Sequence, residues 1–246
     1  MQKLLGISVV LILASTAWAD IINDDFESYA DNTQLGAVWP IGVGTTADTY
    51  LDLTDNGPTW PGDRCVYDTT VASRRDQSFA PTEVTGSDYL VWAYDYYDTV
   101  GNTGDPRQYG QLLSQASGGG LNELLAMGQY NTVTMPGEVF NANKYQARVA
   151  FAAGQGWFNL NTNRAVGWHR FEARVYADHV DFYVDGAFDR GPFPHAGVEW
   201  YQARIGSGLS SAEGDAKYDN YLLTLVPEPA ALTLLALGGL VLVRRR

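Results

Sequence analysis

The chain has 246 residues, 28 acidic against 16 basic side chains, and a formal net charge of −12 at neutral pH. A field of that sign disfavours nucleic acid and anionic membrane surfaces as partners and suits solubility and calcium. With one cysteine, Cys65, there is no intramolecular disulfide framework, so the fold has to rest on its apolar core.

The first residues have the three-part pattern of a signal peptide. Lys3 gives the positive start, Leu4 to Leu13 the apolar core, and Ala17 and Ala19 the small residues that signal peptidase reads, with cleavage before Asp20. The apolar core falls well short of the roughly 20 residues that span hydrocarbon, so residues 1–19 read as an export signal rather than an anchor.

The body, residues 20–226, has a length that one β-sandwich occupies as a single domain. Turn formers punctuate short apolar runs, and almost nothing reads as helix. Asp52 to Asp63 has the twelve-residue length of a calcium loop, but Thr54, Asp63 and the prolines Pro58 and Pro61 depart from that pattern. Around Cys65 the stretch WPGDRCV offers no adjacent histidine, so the thiol reads as a buried one. In YLVWAYDYY the alternation puts Leu90, Trp92, Tyr94 and Tyr96 on one strand face. Leu121 to Met127, after three glycines, reads as a strand. Tyr145, Ala147, Val149 and Phe151 share a face, as do Tyr201, Ala203 and Ile205.

The most informative stretch is GWHRFEARVYADHVDFYVDG, Gly167 to Gly186. Pairing Tyr176 with His179 across Ala177-Asp178 sets Val175 against Val180, Ala173 against Phe182 and Phe171 against Val184, all apolar. On the opposite face Arg174 meets Asp181, Glu172 meets Tyr183 and Arg170 meets Asp185. Asp185-Gly186 supplies the next turn. Antiparallel strands with one buried face predict two packed sheets.

Trp168-His169 and Tyr183 to Gly186 make this stretch similar to the penultimate hairpins of concanavalin A-like jelly rolls, including laminin G-like domains. DDFESYADNTQLGAVW (Asp24 to Trp39) and KYDNYLLTLV (Lys217 to Val226) resemble that group's first and last strands. The resemblance implies an all-β, two-sheet antiparallel sandwich, and a structural calcium ion between the first and last strands with Asp25, Glu27 and Asp219 as ligands.

Glycoside hydrolases on such a fold cluster carboxylates as Glu-x-Asp-x-x-Glu, with a retaining pair about 5–5.5 Å apart. No such run occurs, and His169, His179 and His195 form neither a metal spacing nor a nucleophile motif. No catalytic residue is assigned. Glycan binding is the reading left: Trp157, Asn159 and Asn161 in AAGQGWFNLNTNR combine an aromatic face for sugar C–H groups with amides for hydroxyls, and Trp60 in its Pro-Gly-rich loop is a second ring. The alternative at Trp157 is a side chain that plugs the core. A polysaccharide hydrolase or lyase on the same fold, and a purely structural matrix component, stay open.

The chain ends VPEPAALTLLALGGLVLVRRR. Pro227, Glu228 and Pro229, the apolar run Ala230 to Val243 and the three terminal arginines together resemble the tail of PEP-CTERM proteins. That resemblance implies residues 227–246 as a sorting tail with an apolar helix. It implies recognition by an exosortase, a stay in the inner membrane through the tail, and release of the body to the cell surface. The sequence thus predicts an exported, surface-directed, glycan-associated protein.

Overall fold

The structure, a computed structural model, describes residues 19–53, 62, 64–69, 72–103, 106–116, 119–151, 155–209 and 214–227. In chain order the described elements are β1 (Ala19–Asp24), α1 (Asn32–Val38), β2 (Thr49–Asp52), β3 (Cys65–Asp68), β4 (Arg75–Glu83), β5 (Tyr89–Asp98), β6 (Tyr109–Gln115) and β7 (Leu121–Gly128). They continue as β8 (Lys144–Phe151), β9 (Gly156–Asn163), β10 (Gly167–Val175), β11 (His179–Val184), β12 (Ala187–Pro194), β13 (Glu199–Ile205) and β14 (Ala216–Val226).

The strands form two antiparallel sheets packed face to face, the sandwich that the alternation predicts. The eight-stranded sheet runs β12-β11-β10-β5-β14-β3-β2, with β1 also on β14, and the six-stranded sheet runs β4-β13-β6-β7-β8-β9. The core between them is unusually aromatic: Trp92, Tyr94, Tyr96, Phe158, Phe171, Phe182, Trp200, Tyr218 and Tyr221 are all closed to solvent. Rings of that size need close approach somewhere, and Gly110 supplies it. A Cβ there would lie 2.7 Å from the Tyr94 ring, whose hydroxyl accepts from the Gly110 N–H at 3.1 Å and donates to the Met127 carbonyl at 2.5 Å.

The hairpin register is the one read from the pattern. Phe171, Ala173 and Val175 pair with Val184, Phe182 and Val180, and Tyr176 N–H bonds the His179 carbonyl at 2.8 Å. Asp185 and Gly186 carry φ of 52° and 77°, as a tight hairpin turn with two left-handed positions demands. The expected charge ladder does not form. Arg174 pairs with Glu172 on its own strand at 2.7 Å, and Arg170 reaches Asp95 at 3.2 Å while it meets Asp185 through its backbone N–H and carbonyl.

Three other expectations are corrected. The stretch Asp24 to Trp39 is not one strand: β1 ends at Asp24, and Asp31 accepts the Thr33 and Gln34 N–H groups to start the short helix α1. Tyr201 does not share the face of Ala203 and Ile205, because a bulge between Trp200 and Gln202 turns Trp200 into the core instead. Phe151 leaves its strand face at φ 81° and is 54% exposed. Among the described residues no helix is long and apolar enough to cross a membrane; the signal segment 1–18 and the tail 228–246 lie outside the described residues.

Candidate functional site

The predicted glycan residues do not form an open platform. Trp157 is 3% exposed and stacks on Tyr130 with ring centroids 4.1 Å apart at 8°. The Asn159 amide bonds Glu138 and the Val139 carbonyl, and the Asn161 amide bonds the Asp189 carbonyl, so both amides are engaged by neighbouring chain segments. Trp60 lies outside the described residues. The alternative, Trp157 in the core between the sheets, is also not what is found: it belongs to a second apolar cluster on the outer face of the six-stranded sheet.

The expected calcium ligands are neighbours but are not assembled into a cage. Asp25 accepts the Glu27 N–H, Glu27 accepts the Arg64 N–H and Asp219 accepts the Asn220 N–H, each carboxylate being turned into a local bond. Among the described residues no three His, Cys, Asp or Glu side chains are grouped to hold a metal ion. Asp219 is nevertheless under strain from its surroundings. Burial, then Asp95, Glu27 and Asp25, push its carboxyl up to about 7 against the bond from Asn220.

The histidines sit in packing roles. His169 lies between Asp185 and the Ala165 carbonyl, His179 pairs with Asp178 and stacks on Tyr176, and buried His195 is held by the Tyr176 carbonyl and the Gly197 N–H. Cys65 is buried and burial pushes its thiol up, away from reactivity.

Chemistry collects instead on the outer face of the six-stranded sheet. Asp76, Arg204, Gln111, Ala126, Arg148 and Trp157 are successive cross-strand partners on β4, β13, β6, β7, β8 and β9. At about 4.8 Å per strand the row runs roughly 24 Å. Their sequence neighbours Leu112, Leu125, Ala147, Phe158 and Ala203 fill the core, so the row faces outward. Beside it Tyr109, Leu113, Leu124 and Ala150 are buried, with Tyr130, Tyr201 and Leu209 packed against them.

Arginines clad these rings. Arg107 stands over Tyr130 at 5.5 Å and Arg148 over Trp157 at 5.7 Å, with Tyr109 meeting both rings edge-on at 5.9 and 4.9 Å. At the other end Arg74 and Arg204 share Asp76 at 2.6 and 3.4 Å. Tyr109 joins the two ends. Burial and Tyr130 raise its hydroxyl well above the usual tyrosine range, while Arg148, Arg107 and Arg74 pull the other way. Burial, with Arg74 beside it, lowers Arg204, and Asp76 opposes that. The Arg148 Nε is buried with no hydrogen-bond partner among the described residues. Arg107 and Arg148 thus stand over the rings at one end and Arg74 and Arg204 flank Asp76 at the other, planar donors of a kind suited to carboxylates and sulfates.

The sequence does carry one signal for this face. LNELLAMG (β7) is buried almost throughout, on both sides, which happens only where something covers the outer side of a sheet. The arginines themselves give none, being isolated on four different segments of the chain.

No protein-family model matches the chain, and no curated protein sequence matches it. Among solved structures it is similar to a protein titled sialidase (14% identity, TM-score 0.48, 84% of this chain). It is also similar to the cellulose induced protein Cip1 (15% identity, TM-score 0.47, 83% of this chain and 96% of that one). A third is the CBM22-1 xylan-binding domain from Paenibacillus barcinonensis Xyn10C, at 11% identity and TM-score 0.39 over 87% of this chain and 99% of that one. The chain spans 18% of the sialidase's length. At these values the likenesses carry no functional information.

Proposed function

We propose that this chain is an exported protein that holds an acidic polysaccharide, rich in carboxylate or sulfate groups, on the outer face of its six-stranded sheet. The observation that carries the reading is the convergence of Arg74, Arg107, Arg148 and Arg204 around Tyr109, with Asp76 paired to Arg74 and Arg204. Guanidinium groups meet carboxylates in bidentate pairs, and the ring edges beside them give apolar contact for sugar carbons. The reading is binding without cleavage. Elimination from a uronate needs a base, and here Tyr109 is held protonated while two arginines engage Asp76.

Binding is tested by calorimetry with polygalacturonate against a neutral glucan. Arg148→Ala and Arg107→Ala should each weaken polygalacturonate by about 1.5–3 kcal/mol, the range for hydrogen bonds to charged groups, which is roughly tenfold or more. Added salt should weaken it further. Equal retention on the neutral glucan, or unchanged affinity in both variants, would overturn the reading. Release of unsaturated sugars from polygalacturonate would show a lyase instead.

Export and surface sorting complete the proposal. β14 ends at Val226, so the Pro-Glu-Pro tripeptide follows directly on the last strand, and its prolines disfavour further strand pairing, which suits a processing site. Replacing Pro227, Glu228 and Pro229 by alanines should leave the protein in the membrane fraction. Mature surface protein that still carries Arg246 would sink this part.

A further inference from the structure

A separate pocket of about 400 Å³ opens between α1, β2 and the start of β4, lined by Asn32, Thr33, Pro40, Ile41, Tyr50 and Arg75 among others. That volume is within the range of small-molecule sites. Its base holds an anomaly. Arg75 is 3% exposed, yet among the described residues its guanidinium meets two backbone carbonyls and no acid: Nε donates to Thr49 at 2.7 Å and Nη1 to Trp39 at 2.8 Å. No carboxylate lies in ion-pair range of it among the described residues, and burial alone acts on its proton affinity, downward. Among the described residues this cation has no counter-charge. A buried charge of that kind is costly unless something pairs with it.

The remaining nitrogen, Nη2, makes no bond to the described residues and is not among the buried unpartnered atoms, so it keeps access to the pocket. Around it the walls divide in two. Pro40, Ile41 and the Tyr50 ring are apolar, and Ile41 and Tyr50 are 43% and 37% exposed. On the other side Asn32 accepts the Leu51 N–H on its carbonyl oxygen at 2.7 Å, its amide N–H₂ has no partner among the described residues, and Thr33 also lines the wall. The pocket is distinct from the arginine face, because Arg75 leaves β4 on the opposite side from Asp76.

We propose that this pocket binds the carboxylate of a small ring-bearing acid of the uronic acid type. The carboxylate pairs with Arg75, the ring lies against Tyr50 and Ile41, and the hydroxyls meet Asn32 and Thr33.

The test uses full-length protein with D-glucuronate, D-glucose as the neutral counterpart, and sulfate as a bare anion. Glucuronate should raise the melting temperature and bind at least tenfold more tightly than either control. Thr33→Glu, at an exposed position, sets a tethered carboxylate at the rim; it should raise the melting temperature without ligand and weaken glucuronate at least tenfold. Arg148→Ala, which disables the outer-face arginine site, should leave the glucuronate shift in place. The proposal is overturned if glucose or sulfate matches glucuronate, or if folded Thr33→Glu binds as the parent does. It is equally overturned if Arg148→Ala rather than Thr33→Glu removes the shift, since the ligand would then sit on the outer face.

Discussion

The outer faces of the two sheets are opposites. On the eight-stranded sheet the carboxylates gather: Asp95 and Asp219 are buried beside Asp25 and Glu27, and Arg170 and Lys217 are each tied to an acid. Its rings are partly open, as where Lys217 sits between Tyr97 and Tyr67 along a cross-strand row. On the six-stranded sheet the arginines gather over rings that are buried. Net charge therefore describes neither surface. A chain at −12 gathers four arginines on one face, because register, and not composition, decides which charges become neighbours.

The widest split between the faces should come from truncating a ring on each. Trp157→Ala removes the centre of the covered cluster and should cost about 3–5 kcal/mol, as for other buried tryptophans. Trp168→Ala, on the half-open face of the other sheet, should cost clearly less. Thermal or denaturant melts read both. Equal losses would mean that the six-stranded face is no better packed than its opposite.

That contrast also shows what the sequence could and could not reveal. The β10–β11 hairpin is legible because every constraint on it is local: alternation, a two-residue turn at Ala177-Asp178 and pairing partners within about a dozen residues of each other. Its side-chain pairs were less so, since a long arginine chooses among several acids and rings in reach, and Arg174 settled on Glu172 and the Tyr183 ring. The sequence leaves Trp157 between a surface platform and the core, because the ring that covers it, Tyr130, comes from the β7–β8 connection, far outside its local window. The arginine face needs four segments in register at once, and no short window contains even two of its arginines from different strands. Helix α1 was missed because its seven residues are too short to show periodicity, although Asp31 is a recognisable cap.

A pH titration separates the faces next. Burial pushes Asp68 up to about 7, and burial with its neighbouring acids does the same to Asp219, from an unfolded value near 3.9. Between those two pH values the folded state holds protons that the unfolded chain has released. Stability from these groups is therefore greatest near pH 4, falls as pH rises towards 7, and is flat above it. Asp219→Asn keeps an acceptor for the Asn220 N–H and removes the titration. It should raise the melting temperature at pH 8 but not at pH 4, by roughly 1–3 kcal/mol in stability. Guanidinium groups stay charged throughout, so Arg148→Ala should shift stability by the same amount at both pH values. A difference between Asp219→Asn and the parent that does not change with pH would show that folding leaves the proton affinity of this carboxyl unchanged.

The smallest effect tests how charges settle on the eight-stranded face. Arg174 and Asp181 are register partners, but the guanidinium lies 2.7 Å from Glu172 and 4.2 Å over the Tyr183 ring, while Asp181 Oδ1 is buried without a partner against Gly191. Double-mutant cycles to alanine should then rank the couplings. Arg174 with Tyr183 should give about 0.5–1 kcal/mol, the range for a half-exposed cation over a ring. Arg174 with Glu172 should give about 0.2–1 kcal/mol and weaken in salt. Arg174 with Asp181 should be additive to within about 0.3–0.5 kcal/mol, as for groups that share no contact. If the Asp181 coupling proved the largest, cross-strand charge pairing would govern this face as the register alone suggests, and the contrast with the arginine face would shrink to one of sign.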